Sequence, residues 1–360
     1  MNKTKLLAST MLVSASVLMT AGSASALSLK LGGYFEQWVG YADNDAAGGA
    51  VNDFDVKQDS EITFRAEETL NNGMKVGALL EFEAGNGAPA SGGGGGNSIT
   101  GWDESFLWVK MGNKGQINIG NNDVASAYVG GVSAVGPVGI VKSDANDWFA
   151  GSVGEINNTD GDVGAGDRQN ITYFTPRIAG FQGIVSYTPD ASDTNTSDFD
   201  DQETAGIHNV MSGAVKYSGK VGGARFGANI GYTHAENDDG GAEATSEAVV
   251  TSGWVSFSGL KLGVAYAKEN IADKDEWIAV SAVYKAKKNS FSLGYGKGEE
   301  TQKGVGVADE SQAVTTLGYE RNLGKGVNFG ASLFKVSNSQ ATAAASNGGF
   351  GLVGGLKLRF

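Results

Sequence analysis

The chain has 360 residues carrying 27 basic and 40 acidic side chains, a formal net charge of −13, with 56 glycines, 4 prolines and no cysteine. The acidic balance argues against a nucleic-acid partner. The lack of cysteine excludes a disulfide framework or a thiolate metal site, so stability has to come from backbone pairing.

The first element is a targeting segment. Lys3 and Lys5 precede an apolar stretch from Leu6 to Met19, and small residues follow up to Ala24-Ser25-Ala26. This is the pattern of a secretory signal peptide cleaved after Ala26, leaving residues 27–360 as a single domain. Because residues 1–26 hold no acid, loss of the two lysines takes the formal charge from −13 to −15. Beyond residue 26 no apolar run reaches the ~18 residues of a transmembrane helix, but strands of ~9–11 residues can still cross a bilayer as a barrel.

From the mature start onward the hydrophobic period is two. Leu29, Leu31, Phe35, Val39 and Tyr41 share one face of a strand over about 28–42. Ile62, Phe64 and Ala66 alternate with Glu61, Thr63, Arg65 and Glu67, and after Asn71-Asn72-Gly73 the run Met74, Val76, Ala78, Leu80, Phe82 alternates with Lys75, Glu81 and Glu83. That is a hairpin. Further pairs are expected at 103–112 with 115–121, 168–176 with 180–189, 206–218 with 222–236, and 246–258 with 260–270. The last pairs are 274–285 with 289–299 and 309–322 with 326–337, followed by a final strand from Gly348 to Phe360.

The tally is sixteen strands joined by seven short turns and eight longer connections in alternation. The fold class is all-β: a 16-stranded antiparallel transmembrane β-barrel with short periplasmic turns and long external loops. A soluble sandwich seldom keeps such an order through so many connections. Lipid offers a sheet edge no hydrogen-bond partner, so residues 28–42 must pair with residues 348–360. The last strand shows Phe350, Leu352, Leu356, Leu358 and Phe360 on one face, against Lys357 and Arg359 on the other. Tyr41, Tyr173, Tyr187, Tyr217, Tyr232, Tyr295 and Tyr319 fall near strand ends, where an interfacial girdle would place them.

Nothing in the chain assembles a catalytic, cofactor or metal motif. The histidines, His208 and His234, lie at strand ends with no nucleophile or ligand pattern around them. The glycine run Gly92 to Gly96 lacks the Lys-Ser or Lys-Thr and the helix of a phosphate-cradling loop. The loop from Asp190 to Glu203, with Asp193, Asp198, Asp200 and Asp201, lacks calcium-loop spacing; it reads as a solvated rim, with a loosely bound Ca2+ as the alternative.

Four stretches resemble the general diffusion porins of Gram-negative bacteria, particularly the acidic sixteen-stranded kind: Ile62 to Phe82, Glu104 to Gly120, Arg168 to Tyr187, and the strand ending in Phe360. The resemblance spans the mature chain. It implies an outer-membrane homotrimer, in contact with lipid, whose water-filled channel passes small hydrophilic solutes and ions by passive diffusion. It implies that the third long loop, about 121–167, folds into the barrel as a constriction. It also implies that the terminal aromatic, Phe360, is an assembly signal read by the barrel-assembly machinery.

In that family the constriction sets loop acids against basic wall residues across the solute path. The loop here offers Asp144, Asp147, Glu155, Asp160 and Asp162, with Asp144 and Asp147 preferred. For the basic wall, the period-two phase turns Arg65, Lys75 and Arg168 inward, with Arg225 and Lys261 as further candidates. Glu61 and Asp103 stand where many family members carry arginine, Asn121 stands where another often follows, and Glu81 adds a third wall acid. The thinned basic cluster implies a cation preference. A solute-specific channel and a mainly structural or adhesive surface barrel are the alternatives. Inward positions rich in Gly, Ser, Thr and Asn, with only Trp102, Trp108 and Trp148 near the loops, favour the diffusion channel.

Overall fold

The computed structural model describes residues 27–43, 52–83, 101–130, 132–140, 143–149, 161–191, 206–239, 242–270, 274–301, 309–339 and 348–360. Of its sixteen strands, eight form the first half: β1 (Ser28–Ala42), β2 (Phe54–Thr69), β3 (Lys75–Glu83), β4 (Gly101–Lys110), β5 (Gln116–Asn122), β6 (Arg168–Phe174), β7 (Phe181–Asp190) and β8 (Gly206–Val221). The second half comprises β9 (Ala224–Asp239), β10 (Ala242–Phe257), β11 (Leu260–Asn270), β12 (Lys274–Ala286), β13 (Asn289–Thr301), β14 (Glu310–Gly324), β15 (Val327–Ser339) and β16 (Gly348–Arg359). Each strand pairs antiparallel with its neighbours in sequence, and β1 pairs with β16 to close the barrel.

The period-two reading is realised as an inside-out distribution. Leu29, Leu31, Phe35, Val39 and Tyr41 are all exposed, as are Leu107 and Met211, both at 63%. Such a continuous apolar exterior suits lipid as its solvent, with the strand backbones paired to their neighbours round the closed sheet. The alternate positions point inward and are small or polar: Ser186, Ser212, Thr233, Ser252, Ser292 and Ser332 are all buried.

Closure extends to the last residue. Register runs from Tyr34↔Arg359 to Ala42↔Gly351, and beyond it Gly33 and Phe360 exchange N–H to carbonyl bonds of 3.1 Å in both directions. Gly33 has φ +148°, and a side chain there would run into the carbonyl of Glu61 on β2. Glycine is therefore needed where the seam is tightest.

One connection differs from the expected bounds. β9 continues to Asp239 and β10 starts at Ala242, with these two residues paired. The acid- and Asn-rich stretch after His234 reads as a loop by composition. Above the lipid band, however, both faces of a strand meet water, so polarity ceases to mark strand from loop.

Candidate functional site

After β5 the third loop turns into the lumen and is laid against the inner wall by a series of hydroxyl groups. Ser186 on β7 accepts the Ala125 N–H at 2.8 Å, and Ser212 on β8 accepts that of Ser126 at 2.9 Å. The hydroxyls of Ser126 and Thr233 (β9) lie 2.8 Å apart, and Ser252 on β10 donates to the Val129 carbonyl at 3.0 Å. Farther round, Ser292 on β13 and Ser332 on β15 accept the N–H groups of Val135 and Val138, each at 3.1 Å. The buried backbone of the loop thus finds the partners that it would otherwise lack.

The wall is also cleared for the loop. A side chain at Gly231 would come within 2.9 Å of Val129 and Ser126, one at Gly294 within 2.6 Å of Ile140, and one at Gly318 would overlap the Val135 carbonyl. The loop ends its arc near the seam, where Trp148 and Phe149 are buried with Trp38, Phe334 and Val353. Its return segment packs Val163 and Ala165 against Val124, Val210, Ala235 and Ala248. The loop therefore follows the inside of the barrel from β7 round to β1 and narrows the lumen along that whole arc.

The lumen wall at β2, β3 and β4 carries a cluster of acids. The β3–β4 register slips between Leu80 and Phe82, so that Glu81 faces Asp103 and Glu104 together. In a regular strand two consecutive side chains point to opposite faces; a bulge removes that constraint. Carboxylate oxygens of Glu61, Glu81 and Asp103 lie within 4.8 Å of one another, as do those of Glu104, Asp123 and Asp167. These are hard oxygen donors of the kind that Ca2+ or Mg2+ accepts.

Glu104, Asp123 and Asp167 were not among the sequence candidates. Asp123 and Asp167 bracket the third loop, so their meeting depends on β5 and β6 being adjacent. Next to them Tyr128 donates to Asn122 Oδ1 at 2.6 Å. Burial, with the Asp123 carboxylate adding to it, pushes the Tyr128 phenol well above its ordinary range, and it stays protonated. Asn122 in turn donates to Asn170 at 3.0 Å and to Thr172 at 3.2 Å, a buried amide network that fixes where the loop leaves the wall.

The other candidates are spread out. Asp147 is exposed. Asp162 accepts the Gly164 N–H at 2.9 Å and shapes the return segment. The side chain of Asp144, and Glu155 and Asp160 entirely, lie outside the described residues, as do Gly92 to Gly96, Asp193, Asp198, Asp200 and Asp201. Arg65 pairs with Leu79 in register, one step along the wall from Glu81. Lys75 is held by Glu67 at 2.7 Å at the turn end of that hairpin. Arg168 donates to the Ala191 carbonyl at 2.6 Å at the opposite end. Arg225 and Lys261 lie across the lumen, near the β8–β9 and β10–β11 turns. Asn121 is buried and donates to the Asp103 carbonyl at 2.6 Å. His208 and His234 sit at the external strand ends beside Glu236 and Glu247, at 3.4 and 3.6 Å.

Comparison with solved structures finds the same architecture repeatedly. An anion-selective porin from Comamonas acidovorans aligns over 93% of this chain and 100% of its own, with a TM-score of 0.64 and 19% identity. The trimer form of in-vitro folded OmpT, an outer membrane protein of Vibrio cholerae, aligns over 93% and 100% with a TM-score of 0.61 and 15% identity. The outer membrane channel DcaP of Acinetobacter baumannii aligns over 94% and 99% with a TM-score of 0.62 and 13% identity. No curated protein sequence matches the chain. Residues 8–341 match the Gram-negative porin family, and with the closed sixteen-stranded barrel this places the chain in that family, as a bacterial outer-membrane porin.

Proposed function

We propose that the barrel is a non-enzymatic, water-filled channel for passive diffusion of small hydrophilic solutes and ions, that it prefers cations, and that it works as a homotrimer. The observation that carries the cation preference is the convergence of six carboxylates, Glu61, Glu81 and Asp103 beside Glu104, Asp123 and Asp167. Inside a narrow lumen with low-dielectric walls such a band concentrates counter-ions and raises the barrier to anions. The fold itself does not dictate the sign, since a barrel of this shape from Comamonas acidovorans is anion-selective; side chains facing the lumen do.

The test is the reversal potential of the refolded protein in a planar bilayer under a potassium chloride gradient. A potential favouring potassium supports the reading, and one favouring chloride refutes it.

For the trimer, β5 and β6 have 7 residues each, short of the ~9–11 that a lipid-facing strand needs. That low stretch of wall suits contact with another subunit, and the Vibrio cholerae protein of the same architecture has a trimer form. Mass measurement of the unheated protein in detergent checks it, and a monomeric mass overturns it. Phe360, 60% exposed on the outward face, fits a signal read by the barrel-assembly machinery. Its deletion is expected to lower the amount of barrel in the outer membrane, and an unchanged amount would remove that role.

A further inference from the structure

Across the lumen from the acids, a cavity of about 560 Å³ opens between the third loop and the turn ends of β9–β12. Its polar lining is Ser133 from the loop, Ser256, Ser258, and the cations Arg225, Lys261 and Lys285; among the described residues no carboxylate lines it. Register explains the convergence. Ser256 pairs with Arg225 on one side and with Lys261 on the other, so these three form a row across β9, β10 and β11. Lys261 pairs with Val283, which puts Lys285 one inward step below that row on β12. At strand spacings of roughly 4.8 Å, Arg225 and Lys261 face inward about 10 Å apart, with Ser256 between them.

The three cations are differently employed. Lys261 Nζ donates to Ser133 Oγ at 2.6 Å and stands 5.6 Å from the Trp254 ring centre, which fixes it in place. Arg225 and Lys285 are exposed and make no ion pair among the described residues. Three positive groups around a concave space with serine hydroxyls, with no acid among the described lining residues, form a receptor for a multiply charged oxyanion. A guanidinium takes two of its oxygens at once and ammonium groups take the rest.

We propose that this cavity is an anion-binding subsite on the periplasmic side of the third loop, and that it takes a phosphate-type oxyanion, free or as part of a solute. Granting the open channel proposed above, the pore then carries two successive charge environments, an acidic wall beside the loop and a basic recess beyond it. An oxyanion seated in the recess adds negative charge to the exit and partly obstructs it.

The probe is inorganic phosphate in place of chloride at equal ionic strength, with single-channel current recorded after addition to one compartment and then to the other. Phosphate on the side of the short turns should lower the current in a saturable way, with less effect from the loop side. Both effects should be lost in the Arg225→Gln/Lys285→Gln double variant, whose side chains are exposed and whose folding is checked by heat-modifiable migration. Equal currents in phosphate and chloride, or block that survives in the double variant, would overturn the subsite while leaving the channel intact. If a correctly folded barrel passes no current, it is the channel reading that fails. The subsite is then decided by titration calorimetry with phosphate, where heat of binding lost in the double variant supports it and absence of heat overturns it.

Discussion

The hydroxyl of Ser126 lies 2.8 Å from that of Thr233, a residue 107 positions later, and this contact fixes the start of the third loop to the middle of β9. Ser212 also reaches Thr233, at 2.9 Å, so three hydroxyls share one buried junction. Replacing Thr233 by alanine should cost about 1 kcal/mol, with Ser126→Ala costing a similar amount and the double variant less than the sum. Unfolding in denaturant of all three variants measures the coupling; strict additivity would show that the hydroxyls act separately.

Gly318 offers a sharper test of how closely the loop is fitted. A methyl group there would occupy the space of the Val135 carbonyl, a backbone atom that cannot rotate aside. Gly318→Ala is expected to destabilise by about 1–3 kcal/mol and to broaden the distribution of single-channel currents as the loop shifts off the wall. Gly213, beside which a side chain would meet nothing within 4 Å, is the matched control, and Gly213→Ala should leave current and stability nearly unchanged.

The acidic wall makes a salt-dependent prediction. Neutralising Glu61, Glu81 and Asp103 together, as Gln, Gln and Asn, should move the reversal potential toward zero in dilute potassium chloride. The difference from the parent should shrink in concentrated salt, because the screening length falls from about 10 Å at 0.1 M to about 3 Å at 1 M. A shift of the same size at both concentrations would point to a change of pore shape.

At the seam, Glu36 is buried, takes the Trp38 indole N–H at 2.9 Å and pairs with Lys357 across the first and last strands. Lys357→Met leaves that carboxylate without its counter-charge and should cost about 3 kcal/mol. Adding Glu36→Gln should recover much of the loss, since an amide can still accept from Trp38. Thermal unfolding of the single and double variants decides it; no recovery in the double variant would show that the lysine stem, not its charge, holds the seam.

The strands were legible because lipid outside and water inside impose opposite preferences on alternate residues. Leu29 to Tyr41 and Phe350 to Phe360 show this pattern from the first strand to the last. The acidic site was only half legible. Glu61 and Glu81 follow from phase, but Asp103 and Glu104 are consecutive, and only a bulge lets both face one way. Asp123 and Asp167 are 44 positions apart in sequence and meet through strand adjacency. The small inward residues were legible as lumen lining but not as a seat for the loop. A serine that faces water and a serine that binds a loop carbonyl look the same in a list of residues. Of the loop acids, Asp162 serves the loop's own turn, while Glu155, Asp160 and the side chain of Asp144 lie outside the described residues.

The hydroxyl ladder also orders events in time. Val138 is held by Ser332, 194 positions farther along the chain, so the loop has no complete mooring until the fifteenth strand has joined the sheet. Contacts so distant in sequence form late. The third loop is therefore fully moored only once the cylinder includes its fifteenth strand, and a chain arrested before that strand would lack the Ser332 tie.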